Sequence, residues 1–154
     1  MSDTTTSDEA VATTTVTADP DRAFRVFTEN IGTWWHRGTI YWNDSERGQR
    51  LEFEPGVGGR LQEIYEDGAY EIGRVTAWEP GERLTFTWRE QSWNVDGVTT
   101  VDVRFEAVDG GTAVTVRHGG WGTITQANAG AGGYTAGWNE LLGWFVDEAN
   151  AGAA

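Results

Sequence analysis

His36 and His118 are the only side chains in the sequence that ordinarily titrate near neutral pH, and they stand far apart. His118 continues the side of its segment that carries Val114 and Val116 and precedes Gly119-Gly120, so it can offer a donor or an acceptor to a polar group on a ligand. The preferred alternative is a strand-end histidine satisfied by backbone or water. His36, next to Trp34 and Trp35, falls at the mouth of a pocket or, preferentially, on a surface loop. Cysteine is absent, which removes a thiolate zinc site, a disulfide scaffold and a Cys nucleophile. A metal needs about three converging N or O ligands. Two separated histidines and scattered carboxylates do not supply that pattern, so no metal and no other cofactor is expected. None of Ser2, Ser7, Ser45 and Ser92 sits in Gly-x-Ser-x-Gly. The glycines at 56, 58 and 59 and at 130, 132 and 133 lack the Lys-Ser/Thr and the strand-to-helix context of a phosphate loop.

Carboxylates come in pairs, Glu52 with Glu54 and Glu63 with Glu66, a pattern that can do acid–base work. Alternation sets Glu52 and Glu54 opposite Leu51 and Phe53, and solvated faces account for both pairs. Arg74 and Arg104 lie mid-strand, where a guanidinium fork can hold a ligand carboxylate; Arg104 alternates with Val103 and Phe105 and is assigned to water, as is Arg74. No catalytic residue is assigned. The stronger feature is aromatic, since the chain holds nine Trp. Trp35, Trp88 and Trp138 fall where they face the interior, and broad flat surfaces suit aromatic or polycyclic ligands. Ordinary core packing is an equal alternative for each one singly.

The elements that must position these groups follow from periodicity. Residues 1–9 are polar and unpatterned, an expected tail, and Ala10 to Ala18 is rich in Val and Thr, as strands are. Asp19-Pro20 starts a helix, with Asp as cap and Pro at the first helical position. Phe24, Phe27 and Ile31 share one face of it, and Ile31 to Trp35 continues as a short turn. Arg37 to Gln49 lacks a period and is assigned to a loop. Strands are then expected over Gln49–Glu54, Gly59–Tyr65, Tyr70–Trp78, Arg83–Arg89, Val98–Val108 and Thr112–His118, separated by turn residues that fit hairpins. After a glycine-rich connection, Gly119 to Gly133, a last helix is expected from Thr135 to Ala149. It carries Trp138, Leu141, Leu142, Phe145 and Ala149 as an apolar stripe. Gly137 and Gly143 each cost that helix roughly 1 kcal/mol relative to Ala, and close approach of a sheet or ligand would explain them. Few helices and many antiparallel strands predict an α+β fold, with a curved sheet gripping the terminal helix and a pocket between them.

At 154 residues the chain fits one domain, expected over residues 10–150. Its 11 cations, all Arg, face 24 carboxylates, a net charge of −13. Phosphate backbones and anionic membranes both demand a basic surface, so neither nucleic acid nor membrane docking is expected. No leader with a basic start and an apolar core stands at Met1 to Ala10, and a cytoplasmic location is expected.

Several motifs recur together in one order. They are Glu54-Pro55-Gly56-Val57-Gly58-Gly59-Arg60, Trp78-Glu79-Pro80-Gly81-Glu82-Arg83-Leu84-Thr85-Phe86-Thr87-Trp88, then Gly111-Thr112-Ala113-Val114-Thr115-Val116-Arg117-His118-Gly119-Gly120-Trp121, and last Gly137-Trp138-Asn139-Glu140-Leu141-Leu142. In this the chain resembles the bacterial family related to the activator of the heat-shock protein 90 ATPase, within the START-like (SRPBCC) helix-grip superfamily that has the birch-pollen-allergen fold. The resemblance covers nearly everything after Ala10. It implies about six to seven antiparallel strands curved around the C-terminal helix, one or two short helices after the first strand, and apolar or aromatic small molecules, lipids or polyketides held beneath the last helix. It transfers no catalytic residue, and the co-chaperone role belongs to longer proteins with a further domain.

The expected function is therefore binding of a hydrophobic small molecule without covalent chemistry, the ligand being lined by Trp35, Phe86, Trp88, Val103, Val116, His118, Trp138 and Leu142. Two alternatives stand beside it. One is a polyketide cyclase or dehydratase in which His118, Tyr65 or Tyr70 moves protons. The other is a stress-response or co-chaperone-like module whose acidic surface meets an unidentified protein partner.

Overall fold

The computed structural model of the chain describes residues 9–39, 41–90, 98–120 and 131–151, the last segment without the side chains of residues 131–133. The elements are β1 (Glu9–Val16), α1 (Pro20–Thr28), α2 (Ile31–Trp34), β2 (Arg50–Phe53), β3 (Arg60–Tyr65), β4 (Gly68–Glu79), β5 (Arg83–Trp88), β6 (Thr99–Val108), β7 (Gly111–Gly119) and α3 (Ala131–Ala151). Seven strands form one antiparallel sheet in the order β1-β7-β6-β5-β4-β3-β2, curled around α3. The α+β helix-grip architecture read from the sequence is the one observed.

Local chemistry fixes the boundaries. The Asp19 carboxylate accepts a hydrogen bond from the Arg22 N–H at 2.8 Å, and Pro20 opens α1, which ends β1 at Val16 rather than at the expected Ala18. Glu9 belongs to β1, not to the tail. The remaining tail, the polar stretch at 91–97 and most of the glycine-rich connection lie outside the described residues.

Alternation gives the sheet its two faces. Leu84, Phe86 and Trp88 of β5, Val101, Val103 and Phe105 of β6, and Val114, Val116 and His118 of β7 all point to the concave side and are buried. Register aligns them laterally: Leu84 pairs with Val103 and Val103 with Val116, while Phe86 pairs with Val101 and Val101 with His118. Irregularities at Leu61/Gln62 and at Val75/Ala77 bend β4 against its neighbours. Gly73 sits within this bend, and a Cβ there would fall 1.8 Å from the Thr87 carbonyl oxygen, so β4 and β5 can approach only over glycine.

The concave face is closed by α1, α2 and α3. Phe145 of α3 meets Phe27 at 5.4 Å and Trp34 at 5.6 Å between ring centroids, and Phe24 meets Phe105 at 5.3 Å and Trp78 at 5.2 Å. At the far end of α3 the Asn150 side-chain oxygen accepts from the Thr17 N–H and hydroxyl, tying the helix to the end of β1.

Two sequence expectations require correction. Glu63 is not on a solvated face: it shares the inward side of β3 with Leu61 and Tyr65 and is fully buried. The glycines of α3 are not explained by a sheet or ligand. Gly137 is approached by the Tyr41 ring, with 3.1 Å from Cε1 to a Cβ built there, and Gly143 has nothing within 4 Å. Gly143→Ala should therefore stabilise the protein by about 0.5–1 kcal/mol, read as a higher urea midpoint at unchanged slope.

Candidate functional site

At one end of the grip, the ends of β5 and β7, the start of β6, the residue after α2 and the first turns of α3 bring aromatic side chains together. Trp35, Trp88 and Trp138 form a triangle with centroid separations of 6.1, 6.3 and 6.4 Å. His118 lies 6.0 Å from Trp88, 6.2 Å from Trp138 and 5.0 Å from Tyr134. These are edge and tilted contacts, the arrangement favoured by aromatic quadrupoles.

His118 is fully buried, and its hydrogen bonds define its proton. The Trp138 indole can only donate, so its N–H at 3.0 Å makes His118 Nδ1 an acceptor. The proton must then reside on Nε2, 2.7 Å from the Thr99 hydroxyl, which passes its own hydrogen to the Trp88 carbonyl at 3.0 Å. Burial lowers the His118 pKa to about 3, since the low-dielectric interior disfavours the cation. The imidazole is thus a neutral clamp across β5, β6, β7 and α3.

Polar accounting around the triangle does not close. The indole N–H groups of Trp35 and Trp88 are buried and have no hydrogen-bond partner, although buried donors nearly always find one. Beside Trp88 stands Glu90, partly buried. Burial raises its carboxyl above the usual carboxylate range, and the nearby Trp88 indole offsets this only partly, without closing a well-formed hydrogen bond. Among the described residues no Arg or His forms an ion pair with Glu90.

Of the eight residues expected to line a ligand, Trp35, Trp88, His118 and Trp138 meet here. Phe86, Val103, Val116 and Leu142 are also buried, but Phe86 turns its ring to Phe53, at 5.2 Å. The alternative proton carriers are engaged elsewhere. The Tyr65 hydroxyl donates to Glu63 at 2.7 Å, and the Tyr70 hydroxyl donates to the Arg89 carbonyl at 2.8 Å. Burial comes first in raising both phenols, and the Glu63 hydrogen bond adds to it at Tyr65. Glu63 also accepts from the Asn43 and Asp44 backbone N–H groups, each at 2.8 Å, and so anchors the 37–49 loop.

His36 is exposed and stacks on Trp144 at 4.1 Å. Nearby, a polar surface groove of about 400 Å³ is lined by Arg37, Glu46, Arg47, Gln49, Glu66 and Asp67. Within it Arg47 pairs with Asp67 at 2.7 Å. Among the described residues there is no group of three or more His, Asp or Glu placed to hold a metal, and no helix long and apolar enough to cross a membrane.

Sequence reasoning sets Glu63 on a solvated face and does not single out Glu90. Parity could have found both: Glu63 alternates in step with Leu61 and Tyr65, and Glu90 follows Leu84, Phe86 and Trp88 at every second position.

Residues 17–148 match the family described as Activator of Hsp90 ATPase homolog 1-like protein. No curated protein matches the chain. Among solved structures, protein MLL2253 from Mesorhizobium loti is 19% identical, with a TM-score of 0.66 over 90% of this chain and 94% of that one. An AHSA1-like protein from Aeromonas hydrophila is also 19% identical, with a TM-score of 0.65 over 94% of each chain. DynU16, described as belonging to the dynemicin biosynthetic locus, is 19% identical with a TM-score of 0.65 over 91% of this chain and 46% of its own. At these identities the structural likeness speaks for the fold alone.

Proposed function

The chain belongs to the family of activator of Hsp90 ATPase homolog 1-like proteins, and from that premise we propose that residues 10–150 act as a cytoplasmic binding domain for a small apolar or aromatic molecule, held between the concave sheet and α3 without covalent chemistry. The observation that carries this is the pair of buried indole N–H groups, Trp35 and Trp88, left without acceptors in a cluster that otherwise satisfies its polar atoms. An unmet buried donor costs about 1–3 kcal/mol, and a ligand oxygen recovers that cost while its rings lie against the indoles. DynU16, which shares the fold, is described as a protein of the dynemicin biosynthetic locus.

A cyclase or dehydratase working through His118, Tyr65 or Tyr70 draws less support, because each of these already has a hydrogen-bond partner within the protein. General acid–base work needs a group in reach of substrate with a pKa near working pH, and a histidine lowered to about 3 is far from it.

The test is a titration with flavonoids, fatty acids and aromatic polyketides, followed by tryptophan emission and thermal unfolding. A ligand at a hundred times its Kd should add about 2.7 kcal/mol, raising Tm by about 5–10 °C for a domain of this size. A complete panel that moves neither emission nor Tm would overturn the proposal.

A further inference from the structure

Glu90 and Trp88 place an acceptor and a donor side by side at the edge of the aromatic cluster. The Trp88 N–H is buried and has no partner, while the Glu90 carboxyl is partly buried, close to that indole, and has no cation partner among the described residues. The two groups interact, but without a well-formed hydrogen bond between them. One kind of small group satisfies both at once: a hydroxyl, which gives its hydrogen to a carboxylate and receives an N–H on its oxygen.

We propose that Glu90 and the Trp88 indole together recognise a single hydroxyl on a flat, uncharged aromatic ligand, with Trp35 offering its N–H to a further oxygen of the same molecule. This rests on the interior-site proposal above and sharpens its ligand class. An ether can accept from Trp88 but gives nothing to Glu90. A bare hydrocarbon strips water from both groups and repays neither. A carboxylate sets a second negative charge against Glu90. The affinity order follows: phenol first, then methyl ether and hydrocarbon, with the aromatic acid last. Burial already raises the Glu90 carboxyl, and a hydroxyl donating to its charged form would draw that pKa back down, so binding releases protons wherever the free carboxyl is part-protonated.

Calorimetry with 2-naphthol, 2-methoxynaphthalene, naphthalene and 2-naphthoate, against wild type, Glu90→Gln and Trp88→Phe, tests this. Wild type should prefer 2-naphthol over the ether and the hydrocarbon by about tenfold or more, since hydrogen bonds to charged groups are the stronger ones. Glu90→Gln should cut that preference to within about threefold and improve 2-naphthoate several-fold, because it removes the repelling charge while leaving a weaker acceptor. Trp88→Phe should also lose the preference, yet leave 2-naphthoate poor. Circular dichroism establishes that each variant is folded, and Glu90, at the rim, can be exchanged even where Trp88 cannot. Naphthalene binding with no preference for the hydroxyl, or a preference unchanged in Glu90→Gln, overturns this proposal and leaves the interior site standing. Folded wild type that binds none of the four probes overturns both.

Discussion

Acidification from pH 7 to pH 4 should remove about 3 kcal/mol of stability through His118 alone. The group is neutral and clamped in the folded chain, with a pKa lowered to about 3, whereas an unfolded histidine titrates near 6.5. Between those values the unfolded state binds the extra proton. The contribution is therefore complete above about pH 6.5 and is lost progressively as pH falls toward 3. Protonation would also take the Nδ1 lone pair from the Trp138 N–H, leaving a third buried indole without an acceptor, beside Trp35 and Trp88. Four carboxyl groups modify the curve, among them Glu54 and Asp67, which hydrogen bonds from Arg60 and Arg47 hold below the usual carboxylate range. Asp102, whose pKa is lowered by Thr85, Arg83 and Arg104 against the cost of burial, acts with the same sign at lower pH. Glu90, whose pKa is raised, acts with the opposite sign. Urea unfolding from pH 4 to 7.5 for wild type and His118→Gln separates these, because Gln keeps an acceptor and a donor but cannot titrate. The variant's curve should be flatter by about 3 kcal/mol over that range. An equal slope in both proteins would mean that His118 is not the buried titrating group.

Phe145→Ala should cost about 3–5 kcal/mol, the range for an aromatic side chain removed from a packed core. Phe145 is fully buried and sits where α1, α2 and α3 converge, on Phe27 and Trp34. Those rings belong to three different helices, so collapse into the void would require moving whole elements. Domains have only about 5–15 kcal/mol in all, and the variant should unfold at a much lower urea concentration with an unchanged slope. A loss below about 1 kcal/mol would show that the three helices can close over the gap.

The parts of the fold with strong periodicity were legible in the sequence. The α3 stripe, the Asp19-Pro20 start and the alternation of β5, β6 and β7 each depend on one local rule, and each is found buried or capped as that rule requires. Boundaries were less legible, because Thr17 leaves β1 for a side chain 133 positions away in sequence, on Asn150. At the site, the inward direction of Trp35, Trp88, His118 and Trp138 could be read, but their hydrogen bonding could not. Whether His118 serves a ligand or the protein depends on Trp138 and Thr99, which come from other elements and are brought to it only by the folded geometry. Glu63 is misplaced for a different reason: chemical type outweighs parity. Glu63 was assigned to water because it is acidic, although a loop distant in sequence supplies the N–H groups that make its burial tolerable.

The indole triangle also carries an optical consequence. Its planes are inclined to one another by 37°, 81° and 62°, and chromophores that close and that skewed share their excitation. Their coupled transitions should give an exciton couplet in the far-ultraviolet dichroism, distinct from the backbone bands. One ring rides on α3, one on β5 and one just beyond α2, so undocking α3 removes the two pairings made by Trp138 and leaves only that between Trp35 and Trp88 within the triangle. The couplet's amplitude is a built-in gauge of whether the helix is docked in the sheet, independent of how much helix the chain contains.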